Sequence, residues 1–181
     1  METTEKIIEC YVRYVLRWAT IPNVKCDGQY EIDLIAIDPV NLERYHIESS
    51  VSASKGFSRL TAKIFDPNDL KVRVKIPAAR RTLGYFRDRK FAASGIVSRL
   101  REYGFTPSNY RKVIVTWGWT EDAKREADAA GIELWDFRDV VSRIATAIEH
   151  ETRYFGDDTL RTIGLYVKAG KEMSRSTRVR A

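Results

Sequence analysis

Apolar residues near the start of the chain recur at helical spacing: Ile8, Val12, Val15 and Ala19, flanked by Ile7, Tyr11 and Trp18. Thr4 and Glu5 suit the first turn of such a helix, and Pro22 is the expected stop. Two strand-like runs follow, Tyr30 to Asp38 and Glu43 to Val51, separated by the turn Pro39-Val40-Asn41-Leu42; they predict an antiparallel hairpin. Phe57, Leu60, Ile64 and Phe65 return to helical spacing until Asp66-Pro67. Leu70, Val72, Val74 and Ile76 then alternate with Lys71, Arg73 and Lys75, the period of a strand with one basic face. Pro77 opens a basic helical stretch through Phe91, and a further helix from Ala92 to Tyr103 ends at Gly104.

The last third predicts a buried strand over Lys112–Trp117, a helix from Thr120 to Ala130 stopped by Gly131, a strand over Ile132–Trp135, and a helix with Val140, Val141, Ile144 and Ile148 inward. A strand, a short helical crossover and a second strand make a parallel pair. The order α–β–β, basic segment, β–α–β–α predicts an α/β sandwich with a mixed sheet. Residues 1–170 read as one domain with a basic, largely helical insertion over 53–112, and residues 171–181 as a basic flexible tail.

Length adds little to this, since 181 residues suit one core. Charge adds more. The net +6 is concentrated: residues 71–112 carry twelve basic side chains against Asp88 and Glu102, while the flanking segments are slightly acidic. No apolar run reaches the length of a membrane span, and the first residues are acidic rather than signal-like, so a cytoplasmic protein without membrane contact is expected. Two cysteines, Cys10 and Cys26, and two histidines are too few for a zinc site, so a bound metal would need oxygen ligands.

Such ligands are present on the hairpin. Asp33 and Glu48 each lie within an apolar strand, where an unpaired carboxylate costs several kcal/mol, about what a specific partner must offset. Converging from neighbouring strands, they would form an oxygen site for Mg²⁺ or Mn²⁺, to which the carbonyl of Ser49 could add a ligand. Glu9 on the first helix could reach the same place, although Glu5, Glu9 and Arg13 are also spaced as a solvated ladder. Asp33 and Glu48 could equally pair with arginines of the basic segment.

Three places together resemble the PD-(D/E)xK nuclease superfamily, the fold of many restriction endonucleases and Holliday-junction resolvases. They are the acid-bearing helix Ile7-Ile8-Glu9-Cys10-Tyr11-Val12, the strand Glu31-Ile32-Asp33-Leu34-Ile35-Ala36, and the strand Tyr45-His46-Ile47-Glu48-Ser49-Ser50. The later strand–helix–strand also looks like that superfamily's closing element. The resemblance implies a restriction-endonuclease-like αβββαβ core, metal held by Asp33 and Glu48 with Glu9 assisting, and hydrolysis of DNA phosphodiester bonds. It departs at Ser50, where the superfamily carries a lysine that orients the attacking water or stabilises charge on the phosphate. Lys55 or Lys63, just after the strand, could supply that ammonium, although both also fit a solvated helix face.

In the basic segment, Lys71, Arg73, Lys75, Arg80, Arg81, Arg87, Arg89 and Lys90 are the candidates to track a phosphate backbone. The expected partner is DNA. The alternative is a nuclease-fold module that binds DNA or assembles with a partner and, lacking the lysine, does not cut. A homodimer or an acidic protein partner is compatible with the same charge pattern. Trp117-Gly118-Trp119 falls at a strand end where α/β proteins bind ligands, although packing explains tryptophans there as well.

Overall fold

The computed structural model describes residues 2–51, 59–66, 82–149 and 155–179, the stretch 173–179 by its backbone alone. Helix α1 spans Thr3–Cys10, started by a capping box in which Glu2 and Glu5 exchange backbone bonds. It continues as a π-helical turn over Tyr11–Val15 and stops there, earlier than the expected Pro22. Strand β1 spans Ala19–Cys26 and contains Pro22 in its middle. Proline is tolerated because β1 is an edge strand, with a ladder partner on one side only.

Strands β2, Tyr30–Ile37, and β3, Arg44–Ser49, form the expected antiparallel hairpin, with Leu34 opposite Ile47. After Val51 the chain is next described at residues 59–66. Leu60 and Thr61 there are extended, bridging to Trp119 and Thr82, where helical spacing had predicted a helix. The bridge wins because Leu60 is fully buried and both its N–H and C=O find partners, at Gly118 O and Thr120 N. The expected strand over residues 70–76 lies outside the described residues.

Helix α2, Leu83–Tyr85, is capped by the Thr82 hydroxyl and runs into a π-helical turn over Phe86–Lys90. Helix α3 spans Ser94–Glu102 and closes at Gly104, whose positive φ of 77° suits the helix end. Strand β4, Tyr110–Thr116, helix α4, Glu121–Ala129, and strand β5, Ile132–Asp136, form the expected crossover, followed by α5, Phe137–Glu149. The last helix, α6, spans Asp158–Val179 and so carries helical backbone well past Lys171, where a frayed tail was expected.

The sheet order is β1-β2-β3-β4-β5, antiparallel through β3 and parallel from β3 to β5. It is therefore a mixed five-stranded sheet with helices on both faces, an α/β architecture. One face, with Leu34, Ala36, Tyr45, Ile47, Val113 and Val115, packs under α1, α5 and α6. The other packs Ile114 and Ile132 against Leu60, Leu83, Phe86, Phe91 and the two buried alanines of α4. No described helix is long and apolar enough to cross a membrane.

Candidate active site

Asp33 and Glu48 come together where the hairpin opens. Leu34↔Ile47 is the last cross-strand pair, after which β2 stays with β1 and β3 with β4. In this fork the Ser49 backbone N–H donates to Asp33 Oδ2 at 2.7 Å, so a carboxylate takes the place of the next ladder bond. Glu48 is fully buried and Asp33 nearly so, its side chain 13% exposed.

The cation that answers them is Lys90. Its Nζ lies 3.0 Å from Asp33 Oδ1 and 2.5 Å from Glu48 Oε2, and it also donates to the carbonyl of Glu31 at 2.7 Å. Two local features deliver it. Phe86 and Phe91 are both buried, yet residues five apart point to different sides of an α-helix; the wider π-turn brings both to the sheet and carries Lys90 with them. Gly84 allows the segment Lys63–Phe65 to cross directly over α2, since a Cβ there would sit 2.5 Å from the Phe65 nitrogen.

His46, two residues before Glu48 on the same strand face, completes the group. Its Nε2 lies 2.6 Å from Glu48 Oε1, and because an ionised carboxylate only accepts, Nε2 carries the hydrogen. The ring meets Phe91 edge-on at 4.8 Å, and its Nδ1 is buried without a hydrogen-bond partner among the described residues. Burial, reinforced by the Lys90 charge, pushes His46 down to about 3, which keeps it neutral.

Burial also raises both acids. Asp33 is pushed up to about 7 by burial and by the Glu48 charge, against the opposing pull of Lys90. Glu48 is likewise pushed up to about 7 by burial, with Lys90 opposing. Burial works against charge on Lys90 too, but Glu48 and Asp33 outweigh it and the ammonium is held more tightly than usual. Two carboxylates facing one ammonium leave an excess of negative charge once both have lost their protons, above about pH 7.

These oxygens suit a hard divalent cation. Among the described residues, Glu48 Oε2 is buried with no aligned hydrogen bond and forms an ion pair with Lys90, and Asp33 Oδ1 accepts from the same ammonium. Ser49 reaches the site through its N–H. Among the described residues no three His, Cys, Asp or Glu side chains converge into a ready-made metal cage.

Other expected members lie elsewhere. Glu9 is buried on α1 in an ion pair with Lys6 at 2.8 Å, and Lys6 also reaches Asp157 at 3.1 Å before α6. Glu5, not Glu9, lines the shallow depression beside Asp33 and Ser49. Ser50 is buried, and its Oγ has no partner among the described residues. Lys63 is exposed, and Lys55 lies outside the described residues, as do Lys71, Arg73, Lys75, Arg80 and Arg81. Arg87 is exposed and pairs with Asp88, while Arg89 sits over the rings of Tyr30 and Phe65 at 5.9 and 5.6 Å. Lys90, expected on the phosphate-tracking surface with them, instead points inward.

No family model matches the chain, and no curated protein does. Among solved structures, a protein of unknown function, AF1548, matches over 98% of both chains at 17% identity and a TM-score of 0.41. A repair endonuclease from Pyrococcus abyssi matches over 75% of this chain and 46% of its own at 16% identity, with a TM-score of 0.36.

Proposed function

We propose that this chain is a metal-dependent nuclease of the PD-(D/E)xK type acting on DNA, with its lysine supplied by Lys90 rather than by the position of Ser50. The observation that carries this reading is the single ammonium placed between Asp33 and Glu48. Asp33 and Glu48 would hold Mg²⁺ or Mn²⁺. A divalent cation bound there would supply Lewis-acid polarisation of the phosphodiester and make water more acidic.

The chain's own residues do the rest. Lys90 and Asp33 reach the surface, with side chains 14% and 13% exposed, whereas Glu48 is sealed beneath them. A phosphate approaching from that side meets the ammonium first, which would stabilise charge developing on its oxygens. His46 holds Glu48 Oε1 and so turns Oε2 toward the site. Arg87 and Lys63, exposed on the segments that deliver Lys90, would contact the flanking phosphates.

One observation favours a second reading. Lys90 Nζ already donates to Glu31 O and Asp33 and pairs with Glu48, an arrangement that balances its charge without metal. A nuclease-fold module that binds DNA without cutting would need no more. Plasmid and branched DNA incubated with Mg²⁺ or Mn²⁺ separate the two. Cleavage by the wild type that Glu48→Ala lacks supports the nuclease; salt-sensitive binding without cleavage supports the module; neither cutting nor binding overturns both.

A further inference from the structure

A second concavity, of about 360 Å³, lies at the outer edge of β5, the last strand of the sheet. Its volume falls within the range of small-molecule sites. Trp18, Trp119 and Trp135 line it with Tyr11, each tryptophan half-buried, so ring surface is both present and reachable. Trp135 is held by Tyr11 edge-on at 6.1 Å, and Trp18 is backed by Tyr45, stacked at 4.2 Å. The aromatic wall is thus braced from behind.

Above it, α5 presents Asp139 and Arg143, one helical turn apart and both lining the cavity. Opposite charges at this spacing ordinarily pair. Here they do not: Asp139 makes no ion pair or hydrogen bond among the described residues, and the contact of Arg143 is a long 3.5 Å bond to the Tyr11 hydroxyl. An acceptor-only group and a donor-only group therefore stand side by side over an aromatic surface, neither committed to the other.

We propose that this cavity binds a guanine base. The ring would stack on the tryptophans. The Asp139 carboxylate, with two acceptor oxygens, matches the two adjacent donors N1–H and the 2-amino group. The Arg143 guanidinium matches the neighbouring acceptors O6 and N7, its preferred partners on a base. Adenine, cytosine and uracil each lack that pair of adjacent donors. The site is separate from the dicarboxylate: none of Asp33, Glu48 and Lys90 lines it. The proposal therefore does not rest on the nuclease reading.

Tryptophan fluorescence of the full chain, without metal, tests it. The titrants are GMP, AMP, CMP and UMP, an oligothymidine, and the same oligothymidine carrying one central dG. Saturable quenching by GMP, at least about tenfold tighter than by AMP, is expected, with Asp139→Asn weakening it about tenfold or more. Asp139 is exposed, so that variant should fold; Asp33→Asn should leave GMP binding unchanged. Tight binding of the dG oligonucleotide but not of GMP would place the base in single-stranded nucleic acid; binding of both would make free guanine nucleotide a ligand. Quenching that does not saturate, that is equal for all four nucleotides, or that Asp139→Asn leaves unchanged would overturn the proposal.

Discussion

Lys90 Nζ sits 2.5 Å from Glu48 Oε2, an ion pair between a π-helical turn and a central strand that lies entirely out of water on the glutamate side. Breaking a buried pair by removing one partner is far costlier than losing an exposed one, because the other charge stays behind. Lys90→Met should therefore lower stability by about 3–5 kcal/mol, seen as a reduced midpoint in urea. Its cleavage rate should fall about 10²–10³-fold at a temperature where the variant remains folded.

Ser50 tests the same assignment from the other side. Its Oγ is buried and has no hydrogen-bond partner among the described residues, so replacing it removes no such partner and relieves an unsatisfied hydroxyl. Ser50→Ala should be as stable as the wild type or slightly more so, and should cut DNA at the same rate. A large loss of rate with unchanged stability would show that the serine hydroxyl is used after all.

The pH dependence of stability follows from Asp33 and Glu48, both raised to about 7. A carboxyl that binds its proton more tightly when folded contributes stability at low pH and loses it as pH rises from about 4, its unfolded value, through about 7. Lys90 stays charged throughout that window; His46 stays neutral in the fold but takes up a proton below about 6.5 when unfolded, which opposes the decline at its acidic end. Thermal melts without metal should show stability declining between about pH 5 and pH 8, and Glu48→Gln should flatten much of that decline. Added Mn²⁺ should raise the melting temperature most above about pH 7, where no proton competes for the carboxylates.

Gly84 carries a mechanical prediction. With Phe65 N at 2.5 Å and Lys63 O at 2.9 Å from an added Cβ, Gly84→Ala must push two backbone segments apart. A cost of about 1–3 kcal/mol is expected from the overpacking. Because α2 delivers Lys90, the cleavage rate should fall as well, whereas Gly156→Ala, with open space around it, should change neither.

The acids were legible in the sequence because their signal is local: a carboxylate inside an apolar strand stands out against a period of two, and the hairpin register then sets Asp33 beside Glu48. The β4–α4–β5 crossover was legible for a similar reason, with Thr120 and Gly131 marking the helix ends. Lys90 was not, because among twelve basic residues nothing local separates the one that turns inward from those that face water. The π-turn that aims it depends on Phe86 and Phe91 finding the sheet. Strand β1 was hidden by Pro22, which stops a helix yet also suits an edge strand. Glu9 was misplaced because helical periodicity gives a face but not a neighbour, and its neighbours are Lys6 and, through it, Asp157.

The most direct measurement is a calorimetric titration of the wild type, Glu48→Gln and Lys90→Met with Mn²⁺. Asp33 and Glu48 as the ligands and Lys90 as the catalytic cation predict one Mn²⁺ site in the wild type, absent in Glu48→Gln. In Lys90→Met the site should be kept or tightened even as cleavage is lost, because the competing ammonium is gone. A wild type that binds no Mn²⁺, or a Glu48→Gln variant that binds it as tightly as the wild type, would contradict the account.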